Sequence, residues 1–180
     1  MYEEKIIKNL FLVLSSIFTI FIVSGCNGED VVSNAIKNGL FGNNEYNKTI
    51  LDNSSVIIDI NVNTQYTTLT KLVYVQIDLS HKRLGDLKIE LISPKGTAVI
   101  LSNYRGGNKS VNALLTFKDD TSESIINYNN SLKEYKPEAP LSTFIGENPK
   151  GIWHLKISDS IKNNKIGYIT NVILFINGDK

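Results

Sequence analysis

An all-β sandwich is the fold class that this sequence predicts, on three observations. From Val56 onward, apolar residues recur with a period of two in one short run after another. Residues that favour turns separate these runs, and no segment of that region carries a convincing helical pattern. Period-two alternation places one side of a strand in a core and the other in water, and many short strands joined by turns must bury their apolar faces against each other.

The first run alternates Val56, Ile58, Ile60 and Val62 with Ile57, Asp59 and Asn61. The second sets Val73, Val75, Ile77 and Leu79 against Leu72, Tyr74, Gln76 and Asp78. The third sets Leu87, Ile89 and Leu91 against Lys88 and Glu90. Ser93-Pro94-Lys95-Gly96 then suits a type I turn: Pro94 presets its own φ, and Gly96 is free to adopt the left-handed conformation that follows. A strand over Thr97–Leu101 completes this hairpin. Tyr104-Arg105-Gly106-Gly107-Asn108 reads as a loop. Ala113, Leu115 and Phe117 mark a further strand that ends at Asp119-Asp120. Residues 121–150 lack clean periodicity and hold Pro137, Pro140 and Pro149, which predicts a long loop pinned by Leu141, Phe144 and Ile145. Trp153, Leu155 and Ile157 alternate with His154, Lys156 and Ser158. Tyr168–Ile176 is almost continuously apolar, the pattern of a strand buried on both faces. Seven or eight strands in this order predict a sandwich.

The N-terminus has a different character. Lys5 and Lys8 precede an apolar run from Leu10 to Val23, followed by Val23-Ser24-Gly25-Cys26. A basic start, a short apolar run and small residues at a cleavage point describe an export signal. The run is about 14 residues, against the roughly 20 that a spanning helix needs. Val-Ser-Gly-Cys resembles the lipobox of bacterial lipoproteins, in which the cysteine thiol accepts a diacylglyceryl group. Cys26 is the single cysteine, and lipidation accounts for it without a partner thiol. The expected organisation is a signal peptide over 1–25, lipidated Cys26 with a flexible tether over 26–53, and a domain over 54–180. The tether reading rests on the density of turn formers, among them Gly28, Asn38, Gly39, Gly42, Asn43 and Asn47. The expected location is outside the cytoplasm, held by lipid on the bacterial cell membrane or outer membrane. A formal net charge of +1 gives no basic stripe for nucleic acid.

Four ordered segments carry a family resemblance. Gly85-Asp86-Leu87-Lys88-Ile89-Glu90-Leu91-Ile92-Ser93-Pro94-Lys95-Gly96-Thr97 resembles the G-D-L-x-I-x-L-x-S-P-x-G-T core of the proprotein-convertase P domain, also called P/Homo B. Thr116-Phe117-Lys118-Asp119 resembles T-F-x-D of that family. Tyr135-Lys136-Pro137 with Pro140-Leu141-Ser142-Thr143-Phe144-Ile145-Gly146 resembles Y-x-P…P-L-S-x-F-x-G. Gly151-Ile152-Trp153-His154-Leu155-Lys156-Ile157-Ser158-Asp159 resembles G-x-W-x-L-x-V-x-D. The resemblance spans roughly residues 54–178. It implies a jelly-roll-like β-sandwich of about eight mostly antiparallel strands, of a kind that usually follows a subtilisin-like catalytic domain, stabilises it and tunes its calcium and pH dependence. The sequence departs from the family at Val172, where a Trp is common, and in Asn163-Asn164-Lys165-Ile166-Gly167, where an Asp often precedes the glycine.

Candidate chemistry is sparse. Neither His81 nor His154 lies in a peptidase-like context, and the chain carries no G-T-S-x-A or G-x-S-x-G nucleophile signature. Asp86, Asp119, Asp120 and Asp159 fall at strand ends, where carboxylates from separate strands can hold calcium through oxygen ligands. Their alternative roles are turn caps, solvated loop ends and acceptors for backbone amides. Tyr104, Tyr128 and Tyr135 are expected in loops, with Tyr104 and Tyr135 as candidate contacts for a sugar or a protein; loop packing is the alternative. Trp153 and Phe117 are expected in the core. The sequence thus points to a non-catalytic module that binds another exported protein, with a part in a serine endopeptidase system or carbohydrate binding as the alternatives.

Overall fold

A computed structural model describes residues 39–43, 46–131 and 133–180. The expected signal peptide, Cys26 and the expected tether up to Asn38 lie outside the described residues. The described chain forms ten strands: β1 (Leu40–Asn43), β2 (Lys48–Ile50), β3 (Ser55–Val62), β4 (Thr68–His81), β5 (Leu87–Ile92), β6 (Ala98–Asn103), β7 (Val111–Phe117), β8 (Glu134–Tyr135), β9 (Gly151–Asp159) and β10 (Gly167–Asp179). Three short 3₁₀ turns, η1 (Leu84–Asp86), η2 (Ile125–Asn127) and η3 (Leu141–Phe144), complete it. One sheet runs β1-β10-β4-β7-β8, with β2 also on β10; the other runs β3-β9-β5-β6. All pairings are antiparallel except β7 with β8. The two sheets make the expected sandwich.

The alternation read from the sequence sets the core. Ile58, Ile60 and Val62 of β3, Leu87, Ile89 and Leu91 of β5, and Trp153, Leu155 and Ile157 of β9 are all buried. They meet Val75, Ile77 and Leu79 of β4, Leu115 and Phe117 of β7, and Val172, Leu174 and Ile176 of β10 in one cluster. The Ser93–Gly96 turn forms as expected, with Gly96 N donating to Ser93 O at 2.9 Å and Gly96 at φ 93°. In β10, Asn171 through Leu174 are buried in succession. A register shift between Ile169 and Asn171 turns both Ile169 and Val172 inward, although they are three positions apart, because a bulge adds a residue to one strand and reverses the parity beyond it.

Two expectations are corrected. Leu40–Asn43 and Lys48–Ile50, within the segment expected as tether, belong to the sheet: β1 pairs with Val172–Phe175 and β2 with Gly167–Ile169. Gly39 and Gly42, read as linker glycines, have φ of 103° and 120°, and a Cβ on them would overlap Ile176 O and Val172 O. Glycine here permits close backbone approach. The long loop over 121–150 contains η2, β8 and η3. Leu141 and Phe144 are buried anchors as expected, but Ile145 is half exposed, because η3 turns it away from the sheets.

Candidate functional site

The densest set of buried polar groups lies where β4 and β9 end. Both strands carry an inward polar residue at their last position, His81 and Asp159, and η1 turns Asp86 in beside them. All three are buried. Asp86 O accepts from Ser160 N at 3.3 Å, and Leu87 pairs with Asp159, so the two aspartates flank one strand pair. Asp86 Oδ2 accepts from Asn163 Nδ2 at 2.9 Å, while Oδ1 faces Arg83 Nε at 3.2 Å. Asp159 Oδ1 accepts from Ile161 N at 2.9 Å, while Oδ2 faces His81 Nε2 at 3.5 Å. The other ring nitrogen of His81 lies 2.8 Å from Arg83 O and 3.1 Å from Arg83 N. Asp86 Oδ1, Asp159 Oδ2, His81 Nε2 and Arg83 Nε are all buried without a well-formed hydrogen bond.

The loop after β9 is pinned from the other side. Asp52 Oδ1 accepts from Asn163 N at 3.0 Å. Amides of Asn163, Asn164 and Lys165 hold this carboxyl below its usual range, with Lys162 assisting. Asn163 therefore links Asp52 to Asp86 through its backbone and its side chain.

The four aspartates do not share a site. His81, beside Asp159, pairs with Val111 at the start of β7, whereas Asp119 and Asp120 follow its other end, where Phe117 pairs with Val75. Asp119 accepts from Leu141 N at 2.8 Å and Ser142 N at 2.9 Å, which caps η3. Asp120 meets Lys71 at 3.4 Å on the surface. Among the described residues, no three His, Cys, Asp or Glu side chains are placed to hold an ion together. The donor set at Asp86 and Asp159 does not fit calcium as it stands, because a guanidinium and an imidazole face the oxygens that an ion would need.

Tyr135 is corrected from a loop contact to a core residue. It lies on β8, is fully buried, donates to Asn129 O and packs on Tyr128 at 5.5 Å. Burial raises its hydroxyl pKa, and burial followed by Tyr135 pushes Tyr128 up to about 12. Tyr104 stays 40% exposed, with its hydroxyl 2.7 Å from Ser160 Oγ. His154 stands on the outer face of β9, 2.7 Å from Asp59. Neither imidazole has a serine hydroxyl as a hydrogen-bond partner among the described residues.

Sequence reasoning passed over three groups. Glu147 is buried and accepts from Ser93 Oγ at 2.6 Å and from Thr97 Oγ1, while its carbonyl accepts from Leu69 N. Glu138 receives both arms of Arg105, at 2.9 and 2.7 Å, and the Asn103 amide at 2.6 Å. The hydrogen bond from Arg105 holds its carboxyl low. Arg83 lies three residues before Asp86, and that spacing was the one available sign of the pair.

The tip of this end is apolar. Leu51, Ile161, Ile166 and Tyr168 are between 41 and 57% exposed. Ile50 pairs with Gly167, which sets Leu51 beside Ile166.

The proprotein convertase P-domain model matches residues 70–175, more than half of the chain. No curated protein matches it. Among solved structures, the serine protease of Aeromonas sobria shows 21% identity over 78% of this chain and 26% of its own, with a TM-score of 0.46. The structure of that protease with its chaperone gives the same identity and coverage and a TM-score of 0.47. This chain spans about a quarter of the length of those protease chains. With its four motifs lying on the η1–β5–β6 hairpin, the end of β7, the β8–η3 segment and β9, the chain belongs to the proprotein convertase P-domain family.

Proposed function

We propose that this P domain is a non-catalytic binding module. It is displayed outside a bacterial membrane through lipid on Cys26, and it holds or stabilises another exported protein of the subtilisin-like serine peptidase class. The observation that carries the reading is the apolar tip formed by Leu51, Ile161, Ile166 and Tyr168. Leu51 and Ile166 stand side by side just beyond the paired ends of β2 and β10, and exposed aliphatic and aromatic groups favour burial against a partner. Here the loops that bear them are fixed in advance by Asp52, Asn163 and Asp86, so association costs little further ordering.

Affinity capture from detergent-solubilised membranes tests this. The wild-type chain should recover an exported peptidase, and Leu51→Glu with Ile166→Glu should lose it while keeping the wild-type melting midpoint. Recovery of no exported protein, or equal recovery by the double variant, would refute the reading. Serine-inhibitor-sensitive cleavage by the purified chain alone would refute it as well.

A further inference from the structure

We propose that the outer edge of β3 is a self-association surface, on which a second copy of this chain lays its own β3 antiparallel and makes the two β3-β9-β5-β6 sheets continuous. Among the described residues, the other sheet edges are covered or short. Beyond β6, Glu138 N donates to Leu101 O at 3.3 Å and Ala139 N to Ile100 O at 3.0 Å. Beyond the two-residue β8, Lys136 N donates to Glu123 O and Ile125 N to Lys136 O. β1 and β2 are four and three residues long, and β1 carries Gly42 at φ 120°. β3 ends its sheet and has none of these protections. It is eight residues long, holds no Gly, Pro or Lys, and keeps one register on β9 from Ser55 to Val62 without a bulge. A long, regular edge of this kind is a template for another strand.

The register shows which groups are on offer. Asp159 N donates to Ser54 O at 2.8 Å, so Val56, Ile58 and Ile60 bond β9, while the N–H and C=O of Ser55, Ile57, Asp59 and Asn61 point away from it. Among the described residues, the group that reaches this row is the Tyr46 hydroxyl, which donates to Asp59 O at 3.3 Å. The occupant follows from the strand's own chemistry. A two-fold axis pairs β3 with itself antiparallel. With the axis through Ile58, all four outward residues are used: Ile57 faces Asp59 of the second copy, and Ser55 faces its Asn61. On the inner side, Ile58 meets Ile58 and Val56 meets Ile60. Asp59 is the single charged residue of β3, and this register keeps the two Asp59 side chains from facing each other, where like charges would repel. An axis through Asp59 would oppose them, and one through Ile57 would leave Asn61 unpaired within β3.

The test is sedimentation equilibrium of the full chain in density-matched detergent. Wild type should be dimeric at about 100 µM and dissociate on dilution to about 1 µM. Ile57→Asp sets a carboxylate opposite Asp59 of the second copy at both ends of the pair, so it should weaken the dimer roughly tenfold or more. Ile57 is exposed, so the dilute variant should melt within about 5 °C of wild type. Adding Asp59→Lys to Ile57→Asp makes the facing charges opposite and should return the dimer to within about threefold of wild type. Tyr46→Phe frees Asp59 O and should tighten it. A wild-type chain that stays monomeric at every concentration overturns the proposal, whether or not its edge takes up a strand of another protein. So does a dimer that Ile57→Asp leaves intact, an Ile57→Asp dimer that Asp59→Lys fails to restore, or a dimer loosened by Tyr46→Phe. The measurement uses the purified chain alone, without an exported peptidase, so the proposed function stands or falls separately.

Discussion

Phe144→Ala is the substitution that most directly probes how the irregular segment before β9 is fastened to the sandwich. Phe144 is fully buried at the end of η3 and meets Trp153 edge-on, with ring centroids 4.9 Å apart and an interplanar angle of 72°. The indole N–H donates to Pro149 O at 2.8 Å, which ties the same segment back to β9. Truncating a buried phenylalanine costs about 3–5 kcal/mol through lost transfer energy and the cavity left behind. Roughly 1 kcal/mol of that belongs to the aromatic pair itself. Phe144→Leu retains most of the volume and should cost about 1–2 kcal/mol. Trp153 is the single tryptophan, so its emission follows urea unfolding without labels, and far-UV circular dichroism checks that the two transitions coincide. Phe144→Ala should lower the urea midpoint strongly and shift native Trp153 emission to the red, with Phe144→Leu between it and wild type. A loss below about 1 kcal/mol for the alanine variant would refute the claim that η3 is a packed anchor, because no buried ring leaves so small a deficit.

Three further outcomes follow from the same geometry. Asp119→Ala should cost about 1–2 kcal/mol in urea melts by orphaning the Leu141 and Ser142 amides, with or without calcium; a calcium-dependent loss would mark Asp119 as an ion ligand instead. Arg105 depresses the Glu138 carboxyl, so this pair stabilises the fold above the unfolded carboxyl pKa, and the contribution disappears as pH falls through the lower folded value. Glu138→Gln should therefore cost about 1 kcal/mol at neutral pH, after allowance for solvent around Arg105, and flatten the decline in urea midpoint below about pH 5. Gly42→Ala places a Cβ against the Val172 carbonyl at a positive φ, so hydrogen exchange in β1 and along Val172–Phe175 should quicken; unchanged exchange would show that β1 does not need the close approach.

Sequence and structure divide the account of this protein along physical lines. Alternation from Val56 to Ile157 determined strands, faces and core, because side-chain period in a strand is a local property and water selects the apolar face. The Ser93–Gly96 turn was equally legible, since Pro and Gly act on their own φ. The P-domain family followed from four short motifs whose residues now sit in the core, in turns and at strand ends. Other features are contacts between residues far apart in the chain. β1 and β2 carry too few apolar residues to announce themselves, and they exist because the long β10 offers an open row of backbone groups. Tyr135 looked like a loop residue because β8 is two residues long and finds its partner only in β7. Of the four aspartates, spacing alone could not tell a cap on η3 or a surface pair from two acids buried with separate partners. That depended on β5 and β9 meeting in register and on η1 folding Arg83 back over Asp86. The sequence determined which charges this domain has; the tertiary structure decided which of them neutralise each other.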